Sequence, residues 1–184
     1  MDGARKAGLL TGPYHFARPY LHPLAKDEAR QFVAVAGDYI ATGGLRPVLD
    51  FEDPGDAKPP IHHGRLWGKA RVSQWIRNWA DEVKRLTGVE PILYVNRHYA
   101  TDYLEPDLAR YPLWIATNSG DPCKSPGALG PWERHDFLQY DWKGAIPGIK
   151  GAIDFDMFNG DLEALSRLVI QGQAQPGAAT VSSQ

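Results

Sequence analysis

Six short runs rich in Val, Ile, Leu, Tyr and Phe punctuate the chain at residues 9–17, 46–52, 91–96, 112–117, 136–140 and 152–158, most of them bounded by Gly or Pro. Their length and β-branched or aromatic content read as strands. The stretches between them follow a different period. Ala25, Ala29, Phe32, Val33, Ala36 and Ile40 recur at helical spacing over 24–42, and Gly43-Gly44 is a natural stop. Leu66, Trp67, Ala70, Trp75, Ile76, Trp79, Val83 and Leu86 again fit a helix over 66–86, closed by Gly88. A last helix is predicted over 161–170, with Asn159 or Asp161 near its N-cap. Strands alternating with helices pack as a parallel α/β domain. Several such units in series favour a (β/α) barrel of the TIM type over a doubly wound open sheet. No Gly-rich phosphate fingerprint follows any strand, which weighs against a nucleotide-binding version.

Two of the predicted strands carry paired acids. In Pro47-Val48-Leu49-Asp50-Phe51-Glu52-Asp53, alternation turns Val48, Asp50 and Glu52 to one face and Leu49 and Phe51 to the other. The acids fall at the C-terminal end of the strand, where barrel active sites are built. Like charges this close raise one pKa, and burial raises it further. A carboxyl kept protonated near neutral pH can act as general acid on a glycosidic oxygen, while an ionised neighbour stabilises the positive charge developing on the sugar. An isolated DxE also fits a strand end with solvated acids, and Asp53 reads as facing solvent or capping the loop. The second acidic strand is Ala152-Ile153-Asp154-Phe155-Asp156, with Asp154 and Asp156 on one face. Two strands with inward acids are harder to read as incidental, because unpaired buried acids are costly.

Composition removes several other classes. Net charge is −2 and no Lys/Arg run exceeds two residues, so no nucleic-acid partner is expected. One cysteine, Cys123, allows no internal disulfide and no multi-Cys metal site; no metal and no cofactor are expected. No apolar run approaches the ~20 residues of a membrane helix, so no membrane insertion is expected. MDGARKAGLL has basic residues but no following apolar region, so no signal peptide is read. Six Trp and eight Tyr supply either core packing or flat faces on which sugar rings stack. His15 faces opposite to Tyr14 and reads as a structural histidine. His62-His63, in a Pro/Gly-rich loop, read as surface residues rather than a metal pair. Trp67 reads as either a groove wall or packing.

The segment Ala7-Gly8-Leu9-Leu10-Thr11-Gly12-Pro13-Tyr14-His15-Phe16-Ala17 resembles a strand of glycoside hydrolase family 25, the phage and bacterial lysozymes often called the Chalaropsis type. Leu49-Asp50-Phe51-Glu52, Leu93-Tyr94-Val95-Asn96, Leu113-Trp114-Ile115-Ala116 and Gln139-Tyr140 resemble its following strands in order. Ile153-Asp154-Phe155-Asp156, followed by Phe158-Asn159-Gly160, resembles its closing strand. The likeness runs over essentially residues 3–170. It implies a catalytic domain at 1–171, and composition makes 172–184 (GQAQPGAATVSSQ) a flexible tail or linker. The family implies metal-free hydrolysis of the β-1,4 bond between N-acetylmuramic acid and N-acetylglucosamine. The implied partner is the peptidoglycan glycan strand, and the implied place of action is the cell wall. Glu52 is then the catalytic acid/base, with Asp50 and Asp154 stabilising charge at the reacting sugar. Tyr14, Phe16, Tyr94, Trp114, Gln139 and Asp156 are its candidate groove residues. Tyr14 and Phe16 also read as barrel filling, and Trp114 as core. The attacking group is either an Asp or the substrate's own acetamido group.

The resemblance departs from the family at the front. Family members begin with an Asp-bearing strand, a helix and a second strand, whereas residue 1 here falls inside the helix before the third family strand. About six of eight strands are therefore expected, as an incomplete TIM-like barrel. A fragment, a split gene with a separate chain supplying the missing strands, and a degenerate relative all fit. A non-catalytic glycan-binding remnant of the same fold is the competing function.

Overall fold

A computed structural model describes residues 1–55, 57 and 60–172; the tail expected over 172–184 lies, from residue 173 on, outside the described residues. A short helix, α1 (Asp2–Lys6), leads to strand β1 (Tyr14–Phe16) and the long helix α2 (Ala25–Ala41). Strands β2 (Gly44–Leu45) and β3 (Val48–Asp50) follow, then α3 (His63–Thr87), β4 (Ile92–Asn96) and α4 (Arg97–Asp102). A 3₁₀ turn at Pro106–Arg110 precedes β5 (Leu113–Ala116), β6 (Phe137–Gly144) and β7 (Ile153–Phe158). Helix α5 (Leu162–Ser166) and strand β8 (Val169–Ile170) close the described chain.

Six strands form one curled sheet in the order β1-β3-β4-β5-β6-β7. Neighbours are parallel from β1 to β6, and β7 returns antiparallel to β6. Alternation explains why the strands settle as they do. Leu49 and Phe51 on one face are 1% and 0% exposed, and they join Leu93, Val95, Leu113 and Ile115 against Phe32, Ile40, Trp75, Ile76, Trp79 and Val83 of the helices. Both α2 and α3 therefore cover the same side, as right-handed crossovers running in one sense require. Buried Glu82 of α3 ties the pair together, accepting from Arg30 Nε at 2.8 Å and Arg85 Nη2 at 2.9 Å. His15 stacks on Trp79 at 5.5 Å and bonds Glu28 at 2.7 Å, a structural position.

The opposite face carries the site. Register stacks its side chains in layers, as inward residues of curled parallel sheets do. Phe16, Asp50, Tyr94, Trp114, Phe137 and Phe158 are successive partners across the sheet. Phe137 of this layer also joins Val48, Ile92 and Leu168 in a second apolar cluster, with Leu165 packed against it. The N-terminal end of the strands is thus plugged, and the C-terminal end is left for polar groups.

Several expected boundaries move. The strand predicted over 9–17 shrinks to Tyr14–Phe16, because Pro13 has no N–H to give and residues 11–12 run instead against β2. There Leu45 N donates to Thr11 O, and Gly12 lies where any Cβ would stand 2.8 Å from that of Leu45. The helix predicted over 161–170 ends at Ser166, since Val169 and Ile170 pair with Leu45 and Gly44. Helix α3 begins earlier than its apolar period, at His63, and is interrupted at Gly68 (φ 70°, ψ 168°). Helix α4 was not foreseen; Asn96 caps it, its Oδ1 accepting from Tyr99 N at 3.0 Å.

Candidate active site

Strand β3 ends at Asp50, yet the chain stays pinned to the sheet for one more residue, because Phe51 N donates to Tyr94 O at 3.0 Å. The Phe51 ring is sunk among His63, Trp75 and Tyr99 at 5.6–5.8 Å. That anchor turns Glu52 the other way, into a cleft of about 1020 Å³. Asp53 fixes the exit of the loop. It accepts from the Tyr99 hydroxyl, from His63 N at 2.9 Å and from His62 Nδ1 at 3.0 Å, while Tyr99 accepts from Gly64 N at 3.0 Å. Burial alone would raise the Asp53 carboxyl, but these donors outweigh it and hold it below its ordinary value. Asp53 thus caps the loop, one of its two expected roles. His63 is not the surface residue expected: it is 1% exposed, its ring close to Tyr20, Phe51 and Trp67. Burial lowers its pKa despite nearby Asp53. His62 is exposed.

Asp50 lies between Phe16 and Tyr94 in its layer, and its Oδ1 is buried with no hydrogen-bond partner among the described residues. Burial, then Glu52 and Asp154, push its pKa up to about 8, opposed by Arg18. Glu52 is raised as well, by burial first and then by Asp154 and Asp53. Asp156 is raised to about 6 by burial, with Trp114 pulling down and Asp154 pushing up; Trp114 Nε1 donates to its Oδ1 at 2.8 Å. The Tyr94 hydroxyl donates to Gln139 Oε1 at 2.8 Å, and burial plus the four neighbouring acids keep that phenol protonated. Tyr94 meets Trp114 edge-on at 5.6 Å.

The structure therefore brings Asp50, Glu52, Tyr94, Trp114, Gln139, Asp154 and Asp156 to one end of one sheet face. Glu52, Tyr94, Gln139 and Asp154 line the cleft directly. Tyr14 and Phe16 do not line it. Tyr14 is 68% exposed on β1, so it fills no interior, and Phe16 stands beside Asp50 with the Arg18 guanidinium 4.6 Å over its ring. Trp67 packs against the core and carries Arg71 over its ring at 4.2 Å.

Sequence reasoning missed Asn96, Arg97, Lys124 and Trp142 in the lining. Trp142 follows one register irregularity in β6, between Gln139 and Asp141, and lies within a second, between Asp141 and Gly144, and these break the period that alternation relies on. Loop 117–128 has no period to read. Among the described residues, no group of three or more His, Cys, Asp or Glu is placed to hold a metal ion. The arrangement can supply a carboxyl raised above its ordinary pKa, Glu52, facing a cleft that Tyr94, Trp142 and Asp154 also line.

The sequence profile of "Glycosyl hydrolases family 25" matches residues 1–149. Uncharacterized protein YegX of Escherichia coli K12 is 31% identical over 169 residues, 90% of this chain and 54% of its own. Lysozyme M1 of Streptomyces globisporus is 27% identical over 170 residues, covering 90% of this chain and 55% of its own. The chain thus spans about half the length of these relatives. Among solved structures, the muramidase from Trichobolus zukalii superposes with a TM-score of 0.71 at 28% identity, over 94% of this chain and 78% of its own.

Proposed function

The chain belongs to glycosyl hydrolase family 25, and from that premise we propose that it is a peptidoglycan hydrolase, an N-acetylmuramidase cutting the β-1,4 bond between N-acetylmuramic acid and N-acetylglucosamine. The observation that carries this reading is the cleft itself, with Glu52 raised by burial and by Asp154 and open to a ligand. Glu52 protonates the glycosidic oxygen and then takes a proton from the incoming water. Asp154 faces the same space and stabilises the charge on the sugar. Asp50, neutral up to about pH 8, is a hydrogen-bond donor there rather than a nucleophile, so the attacking group is Asp154 or the substrate's acetamido oxygen. Tyr94, Trp114, Gln139 and Asp156 shape the groove floor, and Trp142, 45% exposed, offers a sugar-stacking face.

The same reading makes the sheet most of a TIM-like barrel. Both crossover helices cover one face, and the free edges β1 and β7 are where further strands, from this or another polypeptide, would close it. Its place of action is the cell wall; among the described residues no helix is long and apolar enough to cross a membrane.

The test is Glu52→Gln, scored by reducing ends released from purified peptidoglycan and by co-sedimentation with cell walls. Release should fall roughly 10²–10⁴-fold, the usual contribution of a general acid, with wall binding retained. Undiminished release sinks the assignment of Glu52. Wall binding by the unaltered chain with no release at all turns the reading to a glycan-binding remnant.

A further inference from the structure

The cleft lining carries charges of both signs. Glu52 and Asp154 are joined in it by Arg97, in the first turn of α4, and Lys124, in loop 117–128. Arg97 is not a loose surface side chain. Its Nη1 donates to Pro126 O at 3.5 Å and lies 3.1 Å from where a Cβ on Gly127 would stand. Gly127, at φ +79°, is what lets the guanidinium lie flat along the loop. Neither cation has a carboxylate partner among the described residues, whereas the adjacent His98 is already paired with Asp102 at 3.0 Å. Nor do they draw down Glu52, which rises under burial, Asp154 and Asp53.

Two cations lining one cleft, without a carboxylate partner among the described residues, are a place for anionic groups of the ligand, since planar guanidinium and ammonium groups bind carboxylates with charge-assisted hydrogen bonds. We propose that Arg97 and Lys124 form a carboxylate-binding wall that holds the acidic side groups of the glycan while its sugar backbone passes Glu52 and Asp154 in the same cleft. This rests on the glycan reading above. Peptidoglycan offers such carboxylates from two sources, the lactyl group of a muramic sugar that carries no stem and, where that group is amide-linked to a peptide, the carboxylates of the stem.

The experiment measures equilibrium binding to the full chain carrying Glu52→Gln, which prevents turnover, with and without the added pair Arg97→Ala and Lys124→Ala. Three tetrasaccharides are the probes: alternating N-acetylglucosamine–N-acetylmuramic acid with free lactyl carboxylates, the same with peptide stems, and neutral chitotetraose. The double substitution should weaken the acidic probes roughly five- to twentyfold, as expected for two exposed ion pairs, and leave chitotetraose unchanged. Loss only on the stem-free probe assigns the lactyl carboxylate, loss only on the stem-bearing probe assigns the stem, and loss on both shows that the wall takes either carboxylate. Retained chitotetraose affinity and an unchanged thermal midpoint show that the variant is folded, and Arg97→Lys should restore part of the affinity. Acidic probes bound equally well by both proteins overturn the wall and leave the glycan reading standing. Equal loss of all three probes overturns it too, and no binding of any probe before the double substitution overturns the glycan reading itself.

Discussion

Asp50 shows what burial does to a single carboxyl. Flanked by Phe16 and Tyr94 in its layer and left with a bare oxygen, it holds its proton up to about pH 8, against an ordinary 3.8. An acid whose folded pKa lies above its unfolded value binds the proton more tightly when folded. Its stabilising effect is therefore complete below pH ~4 and is lost as pH climbs through about 8. Asp50→Asn removes that loss. The variant should match the unaltered protein near pH 4 and melt higher by roughly 4 °C or more at pH 9; equal melting at pH 9 would show that Asp50 ionises without penalty. Trp114 sets a second carboxyl. Its indole N–H draws Asp156 down from a value that burial would make higher. Trp114→Phe should push Asp156 above about 6, read by carboxyl NMR titration, and a fall would sink the assignment. Both acids were legible in the sequence because alternation alone decides which face a strand residue takes. His63 was not, since nothing local reveals that Phe51, Trp67 and Tyr20 converge around it. Arg97 and Lys124 were hidden for the same reason: their shared cleft exists only after distant loops meet.

Helix α3 shows the limits of periodicity at the scale of an element. The apolar stripe over 66–86 was readable, but the helix opens before it, at His63, and the Gly68 break falls inside the stripe, after Leu66 and Trp67. The first turn is held by the Asp53–Tyr99–Gly64 latch rather than by helical propensity. A Cβ at Gly64 would stand 2.6 Å from the Tyr103 ring. Gly64→Ala must therefore displace the ring or the turn, and should cost about 1–3 kcal/mol by denaturant unfolding. A neutral result would mean that the turn tolerates a shift and that the latch carries no strain. The apolar face of α2, by contrast, was legible: its buried apolar residues are Ala25, Ala29, Phe32, Ala36 and Ile40, and only buried Glu28 falls outside the pattern. α5 was over-extended because Val169 and Ile170 answer to Gly44 and Leu45, partners far away in the chain.

Across the whole molecule, the strand–helix alternation gave the parallel α/β order from β1 to β6 correctly. The closing turn of β7 against β6 escaped it, because a hydrophobic run does not state its direction. That one reversal divides the molecule in time. Parallel neighbours such as β3 and β4 can meet only after a helix-length crossover is drawn in, whereas β6 and β7 are joined by a short loop and pair as a hairpin. In pulsed hydrogen exchange during refolding, amides of β6 and β7 should gain protection before those of β1 and β3; the reverse order would refute this sequence of events. Gln139, Asp154 and Asp156 ride on the early piece, and Asp50 and Glu52 lie on or just beyond β3, in the late one. Asp50 and Glu52 are consequently brought up to Asp154 last, so the newborn chain carries the repulsion between the two strands' acids only once the rest of the scaffold is ready to bear it.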